Sequence, residues 1–206
     1  MDSWMQVRTG IPLLLSLAVL PGCAPTHPVT SGFHTALDPK APKPNHFLVW
    51  SNDPNVEPLL IAWVQEQGGT IVEPVRVQEV VQDQHLTLSP TPDLEEALLR
   101  VARLVEADEV LVAGVTRRSY PVNWMYSGQK QGGERVSTLY NPDVTVRSLT
   151  VKTGTIRWSV TASGPGPVFT PDRTILELTD IALKRAACEA DMTQEWRDET
   201  GCIGKP

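Results

Sequence analysis

Histidine and cysteine are scarce in this chain of 206 residues, with four of the first and three of the second. His27 and His34 lie in a proline-rich stretch, His46 opens an apolar run and His85 stands alone. No base–nucleophile pair or metal-ligand grouping can be read along the sequence from them. The nucleophile-elbow, phosphate-loop and zinc-protease patterns are missing as well. The glycines between Ser127 and Gly133 lack the Lys-Ser/Thr that grips phosphate and read as a hairpin tip. A formal charge of −6 without a basic run leaves no electrostatic footprint for nucleic acid or an anionic lipid surface. Long hydrophobic runs are lacking too. The segment Ile11 to Leu20 would reach roughly 15 Å as a helix, half of a ~30 Å hydrocarbon core, and no later stretch is long enough to cross one. Nothing here argues for an enzyme, a cofactor or a metal. Asp93, Glu95, Glu96 and Glu106 read as the wet side and starting charge of one helix.

What is present near the N-terminus is more specific. Leu20-Pro21-Gly22-Cys23, directly after the short apolar run, resembles a bacterial lipobox. The resemblance implies that residues 1–22 are a signal peptide and that Cys23 is lipidated. Ala24 rather than aspartate after that cysteine implies the outer membrane, facing the periplasm. A start at Met5 rather than Met1 would leave Arg8 unopposed by Asp2 and give the better signal peptide. Losing residues 1–22 removes one acid and one base, so the charge stays at −6. Residues 23–45 carry Pro25, Pro28, Pro39, Pro42 and Pro44 and read as a tether of up to roughly 60 Å. Cys188 and Cys202 then allow one intramolecular disulfide, which would close the tail 188–206 and add roughly 3 kcal/mol in the chain-entropy model; two free thiols are the alternative.

Between tether and tail, residues 46–187 read as a single α/β domain, a mixed sheet with packed helices in the order β-α-β-α-α-β-β-β-α. His46 to Trp50 is the first strand. Asp53-Pro54 predicts an N-cap and first helical turn, with Val56, Leu60, Trp63 and Val64 at helical spacing and Gly68-Gly69 as the stop. Thr70 to Val72 is a brief strand, and Val77, Val80 and Val81 mark a second helix. Thr91-Pro92-Asp93 starts a third, striped by Leu94, Leu98, Val101, Ala102 and Val105. Glu109 to Thr116, Val144 to Val151 and Thr155 to Ala162 are strands, the last two joined at Thr153-Gly154. Ile175, Leu178, Ala182, Leu183 and Ala186 belong to a final helix.

Two stretches carry a family resemblance. Leu104 to Thr116, with Ala107-Asp108, a hydrophobic strand and Gly114, is similar to a signature of one superfamily of periplasmic lipoproteins. So is Val144 to Ser159, a strand, a Thr153-Gly154 turn and a strand reaching Trp158-Ser159. That superfamily contains the curli secretion pore and the lipoprotein activators of penicillin-binding proteins. The resemblance implies the fold and a role as an accessory binding protein, and no catalytic residues. On residue chemistry alone, Gly114 would admit a closely packed helix, Asp108 would cap the turn into its strand, and Gly154 would supply positive φ.

The segment Arg117 to Asn141 is far longer than a hairpin connection needs. It holds Tyr120, Trp124, Met125, Tyr126 and Tyr140, and apart from Glu134 its charges are basic, including Arg118 and Arg135. Aromatics with arginine are the currency of binding hot spots. Tyr120, Trp124, Tyr126, Arg118 and Arg135 are therefore expected to bind an envelope protein partner. A secretion-pore subunit of the curli type, whose strands would enter a membrane, is the alternative; Pro121 and the arginines fit it poorly. A cell-wall hydrolase is a further alternative, and an oligomer is possible under each reading. The anchor makes its own prediction. Cys23→Ala should free the protein from membranes and leave the domain folded, and a variant that stays in the membrane fraction after a salt wash would refute lipidation.

Overall fold

The computed structural model describes residues 29–34, 43–125, 134–164 and 166–191. Cys23, Tyr126 and Cys202 lie outside them, so lipidation and the disulfide remain expectations. The predicted α/β architecture is found, with one strand more in front. A six-stranded mixed sheet runs β1-β6-β5-β4-β2-β3, where β1 is Val29–His34, β2 His46–Ser51, β3 Thr70–Ile71, β4 Glu109–Met125, β5 Glu134–Thr150 and β6 Thr155–Ser163. β1 corrects the expected tether. Val-Thr-Ser-Gly-Phe-His, set among prolines, pairs antiparallel with β6 from Val29↔Ser163 to His34↔Trp158. An edge strand of this kind is where flanking prolines are tolerated.

The helices are α1 (Glu57–Glu66), α2 (Pro74–Asp83), α3 (Leu94–Leu104) and α4 (Pro171–Asp191). β2 pairs in parallel with both β3 and β4, on its two sides. Right-handed crossovers that leave in opposite directions put their helices on opposite faces, and the core divides accordingly. On one face α1 and α4 bury Val56, Leu60, Val64, Ile175, Leu178 and Ala182 against Leu111, Val146, Trp158 and Val160. On the other α3 buries Leu98, Val101 and Ala102 against Leu48, Val110, Val112 and Leu149, with Val77, Val80 and Val81 of α2 at its margin.

Two predicted stops are realised in detail. Gly68, at φ 79°, sends its N–H to Gln65, and Gly69 sends its own to Val64, the paired bonds of a Schellman close. A Cβ on Gly69 would meet Phe47 at 2.7 Å, so no other residue fits there. Gly154 turns β5 into β6 at φ 69°. Asp53 behaves differently from the expected cap. Its carboxylate accepts the N–H of Asn55 at 2.9 Å in a turn, α1 begins only at Glu57, and the N-cap position, Val56, makes no side-chain bond. Asp108 accepts the N–H groups of Asn45 and His46, both at 3.0 Å, and so ties the entry of β4 to that of β2.

Trp63 and Trp158 meet edge to face, ring centroids 5.8 Å apart at 68°. The pair joins α1 to β6, and Trp158 is buried. Truncating Trp158 to alanine removes a ring that no neighbour can replace, and should cost about 3–5 kcal/mol of unfolding free energy in a urea titration. A loss under about 1 kcal/mol would show that the first core does not depend on this contact.

Candidate functional site

The strands flanking Arg117 to Asn141 are longer than predicted. β4 and β5 pair without a break over seventeen positions, from Glu109↔Thr150 to Met125↔Glu134. Their neighbours stop early: β2 reaches only Ala113 on β4, and β6 reaches only Asp143 on β5. The nine pairs from Arg117↔Pro142 to Met125↔Glu134 therefore form a two-stranded ribbon, about 30 Å long, that continues out of the sheet.

The hydrogen bonds at its root show how the free edges are managed. The Asn52 side chain stands in for a strand, donating to the Val115 carbonyl at 3.0 Å and accepting the Val115 N–H at 2.8 Å. Odd-numbered residues of β4 thus direct their backbone groups away from β5. Pro121 occupies one of these outward positions, where its missing N–H breaks no ladder bond. On β5 the outward positions are even-numbered: Tyr140 exchanges both bonds with Val168, and the Pro142 carbonyl accepts the Gly164 N–H. Proline on an exposed edge also discourages indiscriminate strand pairing. Arg117 fixes the base of the ribbon, its guanidinium donating to the buried carboxylate of Asp53, 1% exposed, and to Asp172 at 3.5 Å.

The predicted binding residues distribute along this ribbon. Tyr120 is 42% exposed, and Val136 on the facing strand is 62% exposed. Val122 and Leu139, on the face of Tyr120, are half-buried, and Val136 lies on the opposite face with its register partner Asn123. Trp124 lies in β4 opposite Arg135 in β5, so these two sequence candidates are register partners. Arg118 donates to Asp143 across the root of the ribbon and keeps its side chain largely exposed. Phe169, in the loop that bridges to Tyr140, is exposed.

Elsewhere the structure holds one buried titratable cluster the sequence reading missed. Glu109 opens an apolar strand and is 2% exposed. It accepts a hydrogen bond from the Ser148 hydroxyl and one from Arg157 at 3.2 Å. Ser148 is buried as well, with no path for a substrate, so the group is a bolt across β4, β5 and β6. A charged residue heading an otherwise apolar strand, with an arginine in the partner hairpin, was the available signal. Among the described residues no group of three His, Cys, Asp or Glu side chains converges to hold a metal, and no helix is long and apolar enough to cross a membrane.

No family model and no curated protein sequence matches the chain. Solved structures do. The C-terminal domain of LpoB from Salmonella enterica aligns at 20% identity and a TM-score of 0.38, over 61% of this chain and 83% of that one. The PelC dodecamer from Paraburkholderia phytofirmans aligns at 14% and 0.41, over 76% and 96%. Lipoprotein GNA1162 from Neisseria meningitidis aligns at 17% and 0.40, over 71% and 99%. At such identities and scores they transfer no residue role to this chain.

Burial of Glu109 raises its pKa above the ordinary 4.5, against the opposing pull of Ser148 and Arg157. The folded state then holds this proton more tightly than the unfolded one. Its contribution to stability is full below about 4.5 and is lost as pH rises through the folded value. Urea midpoints measured from pH 4 to 8 should fall more steeply for wild type than for Glu109→Gln. Parallel profiles would contradict the burial argument.

Proposed function

We propose that this chain is a lipid-anchored, non-enzymatic protein of the periplasmic face of the outer membrane, which binds another envelope protein and helps assemble or regulate an envelope machine. The lipobox-like Leu20-Pro21-Gly22-Cys23 supports the anchor, and the ribbon supports the binding role. One observation carries the reading. A two-stranded ribbon is marginally stable in water, yet β4 and β5 extend one for nine pairs, supported among the described residues by little beyond the Tyr140–Val168 bridge, and present Tyr120 on one face and Val136 on the other to solvent. Exposed side chains of this kind contribute little to the fold. Against a partner they become the anchors around which an interface is desolvated. In this reading Trp124, Tyr126, Arg118 and Arg135 bind the same partner as Tyr120.

Replacing Tyr120 by a photo-crosslinking residue in cells should capture a discrete envelope protein. Truncating Tyr120 and Trp124 together to alanine should then weaken binding to that protein by about 2 kcal/mol, a factor of about 30, with the melting temperature nearly unchanged. A double variant that unfolds would make the ribbon part of the core. A stable one that binds normally would move the interface elsewhere.

A further inference from the structure

Glycine inside a strand weakens it, and a strand keeps one where the chain bends, where a bulge forms, or where another group must come close. Gly114 meets neither of the first two conditions. It has no positive φ, and the irregularity in the sheet lies at Ser148/Leu149 on another strand pair. The expected packed helix is not over it either. A Cβ built on Gly114 would have nothing nearer than the Thr145 carbonyl oxygen, 4.0 Å away. The glycine leaves room that nothing described in this chain fills.

That room is a cleft of about 290 Å³ between the end of β2, the start of α3 and β5. Half-buried Trp50 and buried Leu94 and Val112 line it with carbon. Its polar neighbours make bonds within the chain. Arg147 donates to Glu95, the Thr145 hydroxyl shares a hydrogen bond with Thr161 at 2.9 Å, and the Asn52 amide is spent on Val115. A charged ligand would lose part of its hydration here and would have to compete with Glu95 for Arg147. An uncharged apolar group loses nothing, and the volume suits one large side chain. Gly114 and Tyr120 are six residues apart in β4, hence on one face of the strand and roughly 20 Å from each other. An interface of ordinary size, about 800 Å² on each partner, spans both.

The geometry points to the Gly114 cleft as an anchor pocket, taking one large uncharged side chain, aromatic or aliphatic, of the same protein partner that the ribbon engages. It rests on the reading of the ribbon as a binding surface. Gly114→Val tests it, because the added methyls enter open space and valine favours a strand. The variant of the full chain should melt no lower than wild type, while crosslinking from position 120 to the partner falls about tenfold or more. Undiminished crosslinking in a folded Gly114→Val protein overturns the pocket and leaves the ribbon reading intact. Gly114→Ala, a smaller intrusion, serves the same comparison if the valine variant does not fold. A second measurement depends on no partner. N-acetyltryptophanamide titrated into the isotopically labelled full chain should shift the Gly114 and Thr145 amide resonances saturably at millimolar concentration, and Gly114→Val should abolish the shift. No saturable shift, or saturation by N-acetylglucosamine instead, overturns the proposal, the latter in favour of a carbohydrate site.

Discussion

The antiparallel pairing of β4 with β5 is the constraint on which the rest of the molecule depends. Along its first half this pair is the middle of the sheet, with β2 and β6 as neighbours and helices on at least one face. Along its second half the same two backbones continue in register, with no further strand of the described residues beside them except the single Tyr140–Val168 bridge. Register established by the buried half is inherited by the exposed half, because a slip of one residue would turn Leu111, Ala113 and Val146 out of their core. The free edges are made safe by outward Pro121, by the Tyr140–Val168 bridge and by the Asn52 amide at Val115. Arg117, held by Asp53 and Asp172, ties the base of the ribbon to the starts of α1 and α4. The ribbon is thus tied at its base and sparsely supported along its length.

The two faces of the sheet are unequally finished, and the difference bears on function. α1 and α4 close one face from Phe47 to Ala162. On the other, α2 and α3 cover the strands only as far as Val112 and Leu149, and beyond them Thr145, Arg147, Ser159 and Thr161 stay half-exposed. The charges there are paired within the chain, Glu95 with Arg147 and Arg118 with Asp143. Surface pairs of this kind stabilise little. The Gly114 cleft lies in that open region, in strand with the ribbon.

Elements with a strong period were legible before any coordinates. The stripes of α1, α3 and α4, the Gly68-Gly69 stop and the Gly154 turn follow from local sequence, because the forces that make them act over a few residues. Asp53 misled for the opposite reason. Its neighbours Pro54 and Asn55 suggest a helix cap, but its second bond is to Arg117, 64 positions away. β1 was hidden among prolines, since an edge strand needs only a partner and no period of its own. The far halves of β4 and β5 escaped notice because Pro121 and the mixed polar residues around it obscure alternation, which a ribbon without a core has no need to keep. Gly114 was visible as a glycine in an apolar strand; that nothing packs on it is a property of the assembled sheet.

The most direct test of this account removes the ribbon and keeps its root. Joining Arg118 to Asn141, which face each other across the pair, through Asn-Gly in place of residues 119–140 closes β4 and β5 with a two-residue turn suited to their twist. The Arg117 clamp is retained. The account predicts a protein that unfolds cooperatively with a melting temperature within a few degrees of wild type and no longer binds the protein captured at Tyr120. A shortened protein that binds as well as wild type, or that cannot fold, would contradict it.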